Sequence, residues 1–267
     1  MGSTADQLRA DVLLITAISS ETKALKAAAR ELGLGWEKRV GQDTEYRHLG
    51  MMQGVQVAAL ELRSMGSFSE TGSAFTCHRA MVESGATTVL AVGIAFGISE
   101  DWQRVGDLLI AESLHLYDEG YVVDDATTGY RYTYKPSATV PASRRWVMRF
   151  RRSAKSTGGP HHVGKLLAGG ARIESRAFRE HLRERVTDEG AMVVGGEMEA
   201  AGIAAACAAA KAEWVVVKAV SDFATKESRE RIADTRDTAA SRAAKFTLDT
   251  LLAPWETDGD DDGQQVL

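Results

Sequence analysis

Short apolar runs recur along the chain, separated by stretches whose apolar residues repeat with helical spacing. Asp11-Val-Leu-Leu-Ile-Thr-Ala17 predicts a buried strand, followed by a helix from about Ser20 to Leu32 with Leu25 and Ala28 turned inward. Val55–Glu61, Val89–Val92 and Asp107–Ala111 predict further strands, with a helix over about 72–84 between the first two. Trp214–Val220 is the clearest strand, and a helix over 199–211 precedes it. Strands alternating with helices predict an α/β sheet, largely parallel, in one domain. Residues 113–160 break the rhythm with Tyr117, Tyr121, Tyr130, Tyr132 and Tyr134 and with Pro136, Pro141 and Pro160. They predict a long excursion with one helix near 143–152, serving as a lid or subunit contact or simply as a surface hairpin with exposed tyrosines. The polar ends, 1–10 and 256–267, are expected to be disordered tails.

Composition narrows the function classes. Apolar residues make up 44% and charged residues 26%, the balance of a globular domain. A net charge of −5 argues against a nucleic-acid surface, which needs clustered Lys and Arg. The basic run Arg144-Arg145-Trp146…Arg149-Phe150-Arg151-Arg152 fits a surface helix instead, because Trp146, Val147 and Phe150 share one helical face. No apolar run approaches the roughly 20 residues that span a bilayer, and no leader pattern opens the chain, so the expectation is a cytoplasmic protein without a membrane partner. Cys77 and Cys207 stand alone in helix-like segments, Cys207 as a small core residue, and His161-His162 lacks a neighbouring acid and reads as a loop pair. Neither a metal site nor a cofactor is expected.

The segment Gly195-Gly-Glu-Met-Glu-Ala-Ala-Gly202 places Glu197 and Glu199 where a helix begins. That helix runs about 20 Å away and the next strand returns about 23 Å, which brings Ser221-Asp222 back beside Glu199. The first strand ends at Ser19-Ser20-Glu21, and Val89–Val92 ends at Gly93-Ile-Ala-Phe-Gly97. Ligands of open α/β sheets gather beyond strand carboxyl ends, so Glu21, Glu199 and Asp222 can converge on one cleft. Such a cleft suits acid/base work on a hydroxyl-rich ligand, one acid protonated and another ionised. The ordinary alternative is that Glu21 and Glu199 are helix-start residues and Asp222 an N-cap. Residues two apart on a regular helix point about 200° from each other, which separates Glu199 from Glu197 and leaves Glu197 as support for the turn.

Gly196-Glu-Met-Glu-Ala-Ala-Gly202 followed by Trp214-Val-Val-Val-Lys-Ala-Val-Ser-Asp222 resembles the signature of the nucleoside phosphorylase/nucleosidase superfamily. The nearest pattern is that of methylthioadenosine/S-adenosylhomocysteine nucleosidases and related immune-effector domains. Ile15-Thr-Ala-Ile-Ser-Ser-Glu21, Ser64-Met-Gly-Ser67 and Val92-Gly-Ile-Ala-Phe-Gly97 extend the resemblance to about residues 11–252. It implies a single α/β domain over residues 11–252, with a central mixed β-sheet flanked by helices, and cleavage of a purine N-glycosidic bond by a homodimer. Asp222 would be the general acid at purine N7 and Glu21 the group that orients or deprotonates water. Glu199 would hold the ribose hydroxyls and Met198 pack on the sugar, with Ser221 and Lys218 supporting the two acids. Ile173 would line the base pocket, beside the turns at Gly66 and at Gly93, Ile94 and Ala95.

Two departures bear on substrate. Phosphorylases of the superfamily hold phosphate with an arginine and a serine where Ala91 and Ile94 stand, so water is the expected nucleophile and a phosphorylase the rival; a catalytically inactive sensing module is the second. Ala168-Gly-Gly-Ala-Arg172 replaces a Ser-Gly-Asp-aromatic pattern, and Arg172 with Arg63 either meets a charged substituent such as a nucleotide phosphate or takes a solvated or salt-bridged surface position. The charged-substituent reading keeps ATP-like substrates and a role as a defence effector open.

Overall fold

The computed structural model describes residues 9–62, 64–135, 139–157, 159–187 and 192–255. In chain order the elements are β1 (Val12–Thr16), α1 (Ser19–Glu31), β2 (Glu37–Val40), β3 (Glu45–Met52), β4 (Val55–Glu61), α2 (Ser73–Ser84) and β5 (Thr88–Gly97). β6 (Leu108–Leu116), β7 (Gly120–Asp125), β8 (Gly129–Tyr134), β9 (Thr139–Pro141), α3 (Arg144–Thr157), β10 (His161–Ala168) and α4 (Arg176–Thr187) follow. The chain closes with β11 (Val193–Glu197), α5 (Ala200–Ala210), β12 (Glu213–Asp222), α6 (Lys226–Glu230) and α7 (Ile232–Leu252).

The main sheet runs β11-β10-β6-β12-β5-β1-β4-β3-β2, with β9 on β6, and it is mixed. β1 pairs parallel with β4 and β5, and β12 parallel with β5, whereas β6 is antiparallel to β12. β11 also pairs antiparallel with β5, Gly196 opposite Phe96, which closes β5, β12, β6, β10 and β11 into a ring. Alternation along each strand feeds two cores. Leu13, Ile15, Val216 and Val220 pack toward α2 and α5, while Val12, Leu14, Val215 and Val217 pack toward α1, α3 and α7. Phe96, Ile98, Tyr117, Ile173 and Leu182 form a third cluster.

Several expected elements prove longer. β5 continues through Gly93–Gly97, where a turn was predicted, because β12 and then β11 supply ladder partners past Val92. β12 extends to Asp222, so that residue ends the strand. Periodicity alone missed β2, β3, β10, β11, α4 and α7. His161 and His162 lie in β10 and not in a loop; His162 Nε2 is 2.8 Å from Asp107 Oδ2, an acid 55 positions away. Residues 113–160 hold the end of β6, the exposed two-stranded β7-β8 hairpin, β9 and α3, whose Trp146, Val147 and Phe150 are buried together. Ala10, assigned to a tail, is buried and donates to Ser84 O at 3.1 Å. Residues 1–8 and 256–267 lie outside the described residues. Among the described residues no helix is long and apolar enough to cross a membrane.

Helices α2 and α5 meet at Gly202, and the contact leaves no room for a side chain. A Cβ there would stand 2.3 Å from Ser73 Oγ and 2.7 Å from Ala74 N. Gly202→Ala is expected to destabilise the protein by about 1–3 kcal/mol through overpacking, read as a lowered urea midpoint.

Candidate active site

The site assembles where three carboxylates, from α1, from β11 and from the residue before α5, face one cation. On β12, Lys218 falls on the same side as Val216 and Val220, facing α5, and is 3% exposed. Its Nζ lies 3.0 Å from Glu197 Oε2 and 3.2 Å from Glu199 Oε2. Glu197 ends β11 and Glu199 is the residue before α5, with φ −110° and ψ −28°. The helix therefore starts after both acids. The angular separation expected of a regular helix does not apply, and both carboxylates reach Lys218. Glu197 also accepts from the backbone N–H groups of Glu199 (3.0 Å) and Ala200 (2.9 Å), so it supports the turn as well. Glu199 Oε1 faces Gly66 N at 3.4 Å, and Gly66 holds φ +90°, a conformation glycine adopts without strain. Ser67 and Ser73 fasten the neighbouring backbone, through Met198 O (3.1 Å) and Glu199 O (2.6 Å). Met198 is half-buried beside them.

Glu21 approaches the same cation from α1. Its Oε2 accepts from Ala17 N (2.6 Å) and Ile18 N (3.1 Å), the usual work of an acid in a first turn. Its Oε1 accepts from Ile94 N at 2.7 Å across to β5. A Cβ on Gly93 would stand 2.0 Å from that oxygen, so only glycine admits the carboxylate. Glu21 thus does the work of a helix-start residue and also reaches across to β5. Burial pushes its carboxyl above the ordinary 4.5, against the opposing pull of Lys218. Burial also raises Glu197. For Lys218 burial works against the charge, yet the fields of Glu197, Glu199 and Glu21 outweigh it and hold the ammonium above its ordinary 10.5.

Asp222 sits four residues beyond Lys218 on β12, about 13 Å of strand. Buried at 2% exposure, it accepts from Ser221 Oγ at Oδ2 (2.8 Å) and from Ala224 N at Oδ1 (2.8 Å), with Arg229 Nε 3.3 Å from Oδ1. It is not the cap of α6, which is Thr225. Ala95 and Ile173 are buried on the β5 and α4 sides, Ile173 in one cluster with Phe96 and Ala224. Arg172 is exposed and pairs with Glu174 at 2.7 Å, and Arg63 lies outside the described residues.

A sequence profile of the phosphorylase superfamily matches residues 11–253. The chain belongs to that superfamily. It is 30% identical over 171 residues to the 5′-methylthioadenosine/S-adenosylhomocysteine nucleosidase of Haemophilus ducreyi, covering 61% of this chain and 67% of that protein. The enzyme of the same name from Geobacillus kaustophilus is 32% identical over 151 residues, covering 55% of this chain and 61% of its own length. The chain thus aligns with about two thirds or less of these relatives' length. The nucleosidase structure from Neisseria meningitidis, in complex with methylthio-immucillin-A, superposes with a TM-score of 0.72 at 22% identity over 90% of this chain and 98% of that one. Futalosine hydrolase of Helicobacter pylori superposes with a TM-score of 0.73 at 18% identity, covering 90% and 96%. At these identities the superpositions establish the fold.

Within this superfamily chain, sequence reasoning missed Arg229 beside Asp222 and the arginines of α4 behind it. Helical spacing marks Arg176 and Arg179 as neighbours, but no local signal distinguishes a buried arginine from a surface one. The described site makes a pH-dependent statement. Because the folded carboxyls of Glu21 and Glu197 lie above 4.5, the folded state keeps protons that the unfolded chain releases, and their contribution to stability falls as pH rises above that value. Lys218 contributes fully below 10.5 and is lost only in strong alkali. Lys218→Met removes the countercharge, so the loss of stability is expected to be about 3–5 kcal/mol near pH 8 and smaller near pH 5, measured by urea unfolding at both.

Proposed function

We propose that the protein hydrolyses the N-glycosidic bond of a purine nucleoside or nucleotide, adenine being the base, with water as nucleophile. The carrying observation is the Glu21 carboxylate lodged against Gly93 and taking the Ile94 N–H. A buried carboxylate against Gly93 of β5 repels phosphate, and the flanking Ala91 and Ile94 side chains offer it no cation. The same carboxylate, raised by burial, suits a base that takes a proton from water. The names of the sequence relatives, nucleosidases acting on methylthioadenosine and S-adenosylhomocysteine, support a hydrolytic reading and adenine as the base.

In this reading water attacks C1′ and passes a proton to Glu21, while the C1′–N9 electron pair leaves with the purine. Asp222 protonates N7 of that purine. Its Oδ1 is occupied by the Ala224 N–H and lies beside Arg229, whereas Oδ2 faces the Ser221 hydroxyl, which can reverse its bond and accept. Oδ2 is therefore the oxygen that carries the proton. Glu199, fixed by Lys218 and facing Gly66 N, takes the ribose hydroxyls and favours the cationic transition state, with Met198 against the sugar. Arg172, already paired with Glu174, is the lesser candidate for a 5′ phosphate.

A homodimer fits the surface. Phe75 and Val82 are exposed on one face of α2, and Phe75 borders a groove lined also by Glu70, His78 and Arg79. That face adjoins the Ser64–Ser69 segment that meets Glu199, so a second copy there would border the site. Cys77 and Cys207 are free thiols, as a reducing cytoplasm keeps them.

Base release from methylthioadenosine, S-adenosylhomocysteine, adenosine, AMP and ATP, followed by chromatography, tests the reaction and ranks the substrates. Release independent of added phosphate is expected; ribose 1-phosphate formed only with phosphate supplied makes the protein a phosphorylase, and no release from any of them favours a sensing module. Asp222→Asn is expected to lower release by about 10²–10⁴-fold. The acid limb of kcat/KM should lie above 4.5 and vanish with nearly all activity in Glu21→Gln, since Glu21 must be ionised to act. Phe75→Glu should halve the mass measured by light scattering; an unchanged mass removes the α2 face as the dimer contact.

A further inference from the structure

Behind Asp222 the chain turns through Phe223 and Ala224, and Phe223 N donates to Ser228 Oγ at 3.2 Å. Ala224 has φ +50°, a left-handed conformation that is unfavourable for a residue with a Cβ, and it is in this conformation that its N–H reaches Asp222 Oδ1. The intervening residue is fixed at both ends. The Phe223 ring rests on Gly97, where a Cβ would stand 2.8 Å from it, and the Phe223 carbonyl accepts from Arg179 Nη1 at 2.6 Å. Arg179, on α4, is 1% exposed and among the largest fully buried side chains. Its Nη2 is held by Glu100 Oε2 at 3.1 Å and by Glu180 Oε1 at 2.9 Å. Glu100, in the β5–β6 connection, is gripped in turn by both terminal nitrogens of Arg176 at 3.1 Å. A buried guanidinium thus ties the β5–β6 connection and α4 to the Phe223–Ala224 peptide unit, whose N–H meets Asp222 Oδ1. Burying it is costly unless it is paired, which fixes its geometry through the two carboxylates.

We propose that Arg179, held by Glu100, is a positioning residue for Asp222: it keeps the Phe223–Ala224 turn in its strained form and so aims the proton-bearing oxygen at the leaving purine. The inference rests on the nucleosidase reading above and adds to it the device that sets the acid. Neither arginine touches the sugar side of the site, so the effect should fall on leaving-group protonation alone.

The discriminating experiment varies the leaving group. Adenosine is compared with 6-chloropurine riboside, whose electron-poor base leaves with less need of a proton; if a different 5′ substituent is preferred, both carry it. In Arg179→Met, kcat for the adenine substrate is expected to fall by about 10–100-fold, the size of effect a misplaced acid produces, while the 6-chloropurine substrate changes by less than about threefold. Glu100→Gln, a partly exposed and conservative change, should shift the ratio of the two rates in the same direction by a smaller factor, and it serves if Arg179→Met does not fold. Equal losses on both substrates, or none, in the variants would mean that Arg179 is structural only and would overturn the positioning role. Absence of base release by the unsubstituted protein from both substrates would instead overturn the nucleosidase reading, and the two failures are thereby told apart.

Discussion

One buried ammonium, Lys218, faces three buried carboxylates, and much of the architecture around the site answers that imbalance. Ionised together, Glu21, Glu197 and Glu199 outnumber the cation, and charge at such depth is tolerated only with hydrogen bonds to the remaining lone pairs. The backbone supplies them. Ala17, Ile18 and Ile94 donate to Glu21, Glu199 and Ala200 to Glu197, and Gly66 faces Glu199. Each donor comes from a helix start or a glycine-bearing segment. α1 and α5 therefore direct their N-termini, the positive ends of their dipoles, at the carboxylates they must carry.

That arrangement places demands on the sheet. β12 must stand between β5 and β6 for Lys218 to meet acids from both α1 and β11, and β11 must close onto β5 for Glu197 to come within 3.0 Å. Glycine at 93 and 202 removes the Cβ atoms that would block the Glu21 carboxylate and the α2–α5 contact. Asp222 lives in a different electrostatic setting at the end of the same strand, with hydroxyl, amide and arginine neighbours in place of further acids. One strand thus carries both a cation shared by buried carboxylates and, four residues on, an acid with neighbours of a different kind. In the proposed reaction, this separation is what would let carboxylates of one site take opposite parts.

The local pattern of the chain made much of this legible. Apolar alternation in Trp214–Val220 marks a buried strand, and helical spacing marks α1, α2, α3 and α5, because those periods follow from backbone geometry and need no distant partner. The ordered motifs from Ile15 to Asp222 likewise identify the superfamily, since they recur at fixed order along the chain. What the pattern could not carry is pairing. The extension of β5 through Gly93–Gly97 depends on β12 and β11 lying alongside; the meeting of Glu197 with Glu199 depends on where α5 begins; the burial of Arg179 depends on Glu100, 79 positions away.

By itself, then, the sequence determined the α/β class, the strand and helix that bring Glu199 and Asp222 to one end of the fold, and the types of side chain available there. Those properties are set by residues within a few positions of one another. Only the tertiary structure decided that Glu197 shares Lys218 with Glu199, that Arg172 is paired with Glu174 at the surface, and that a buried arginine stands behind Asp222. Charge balance in a buried site is a sum over segments far apart in the chain, so it exists only once they are packed.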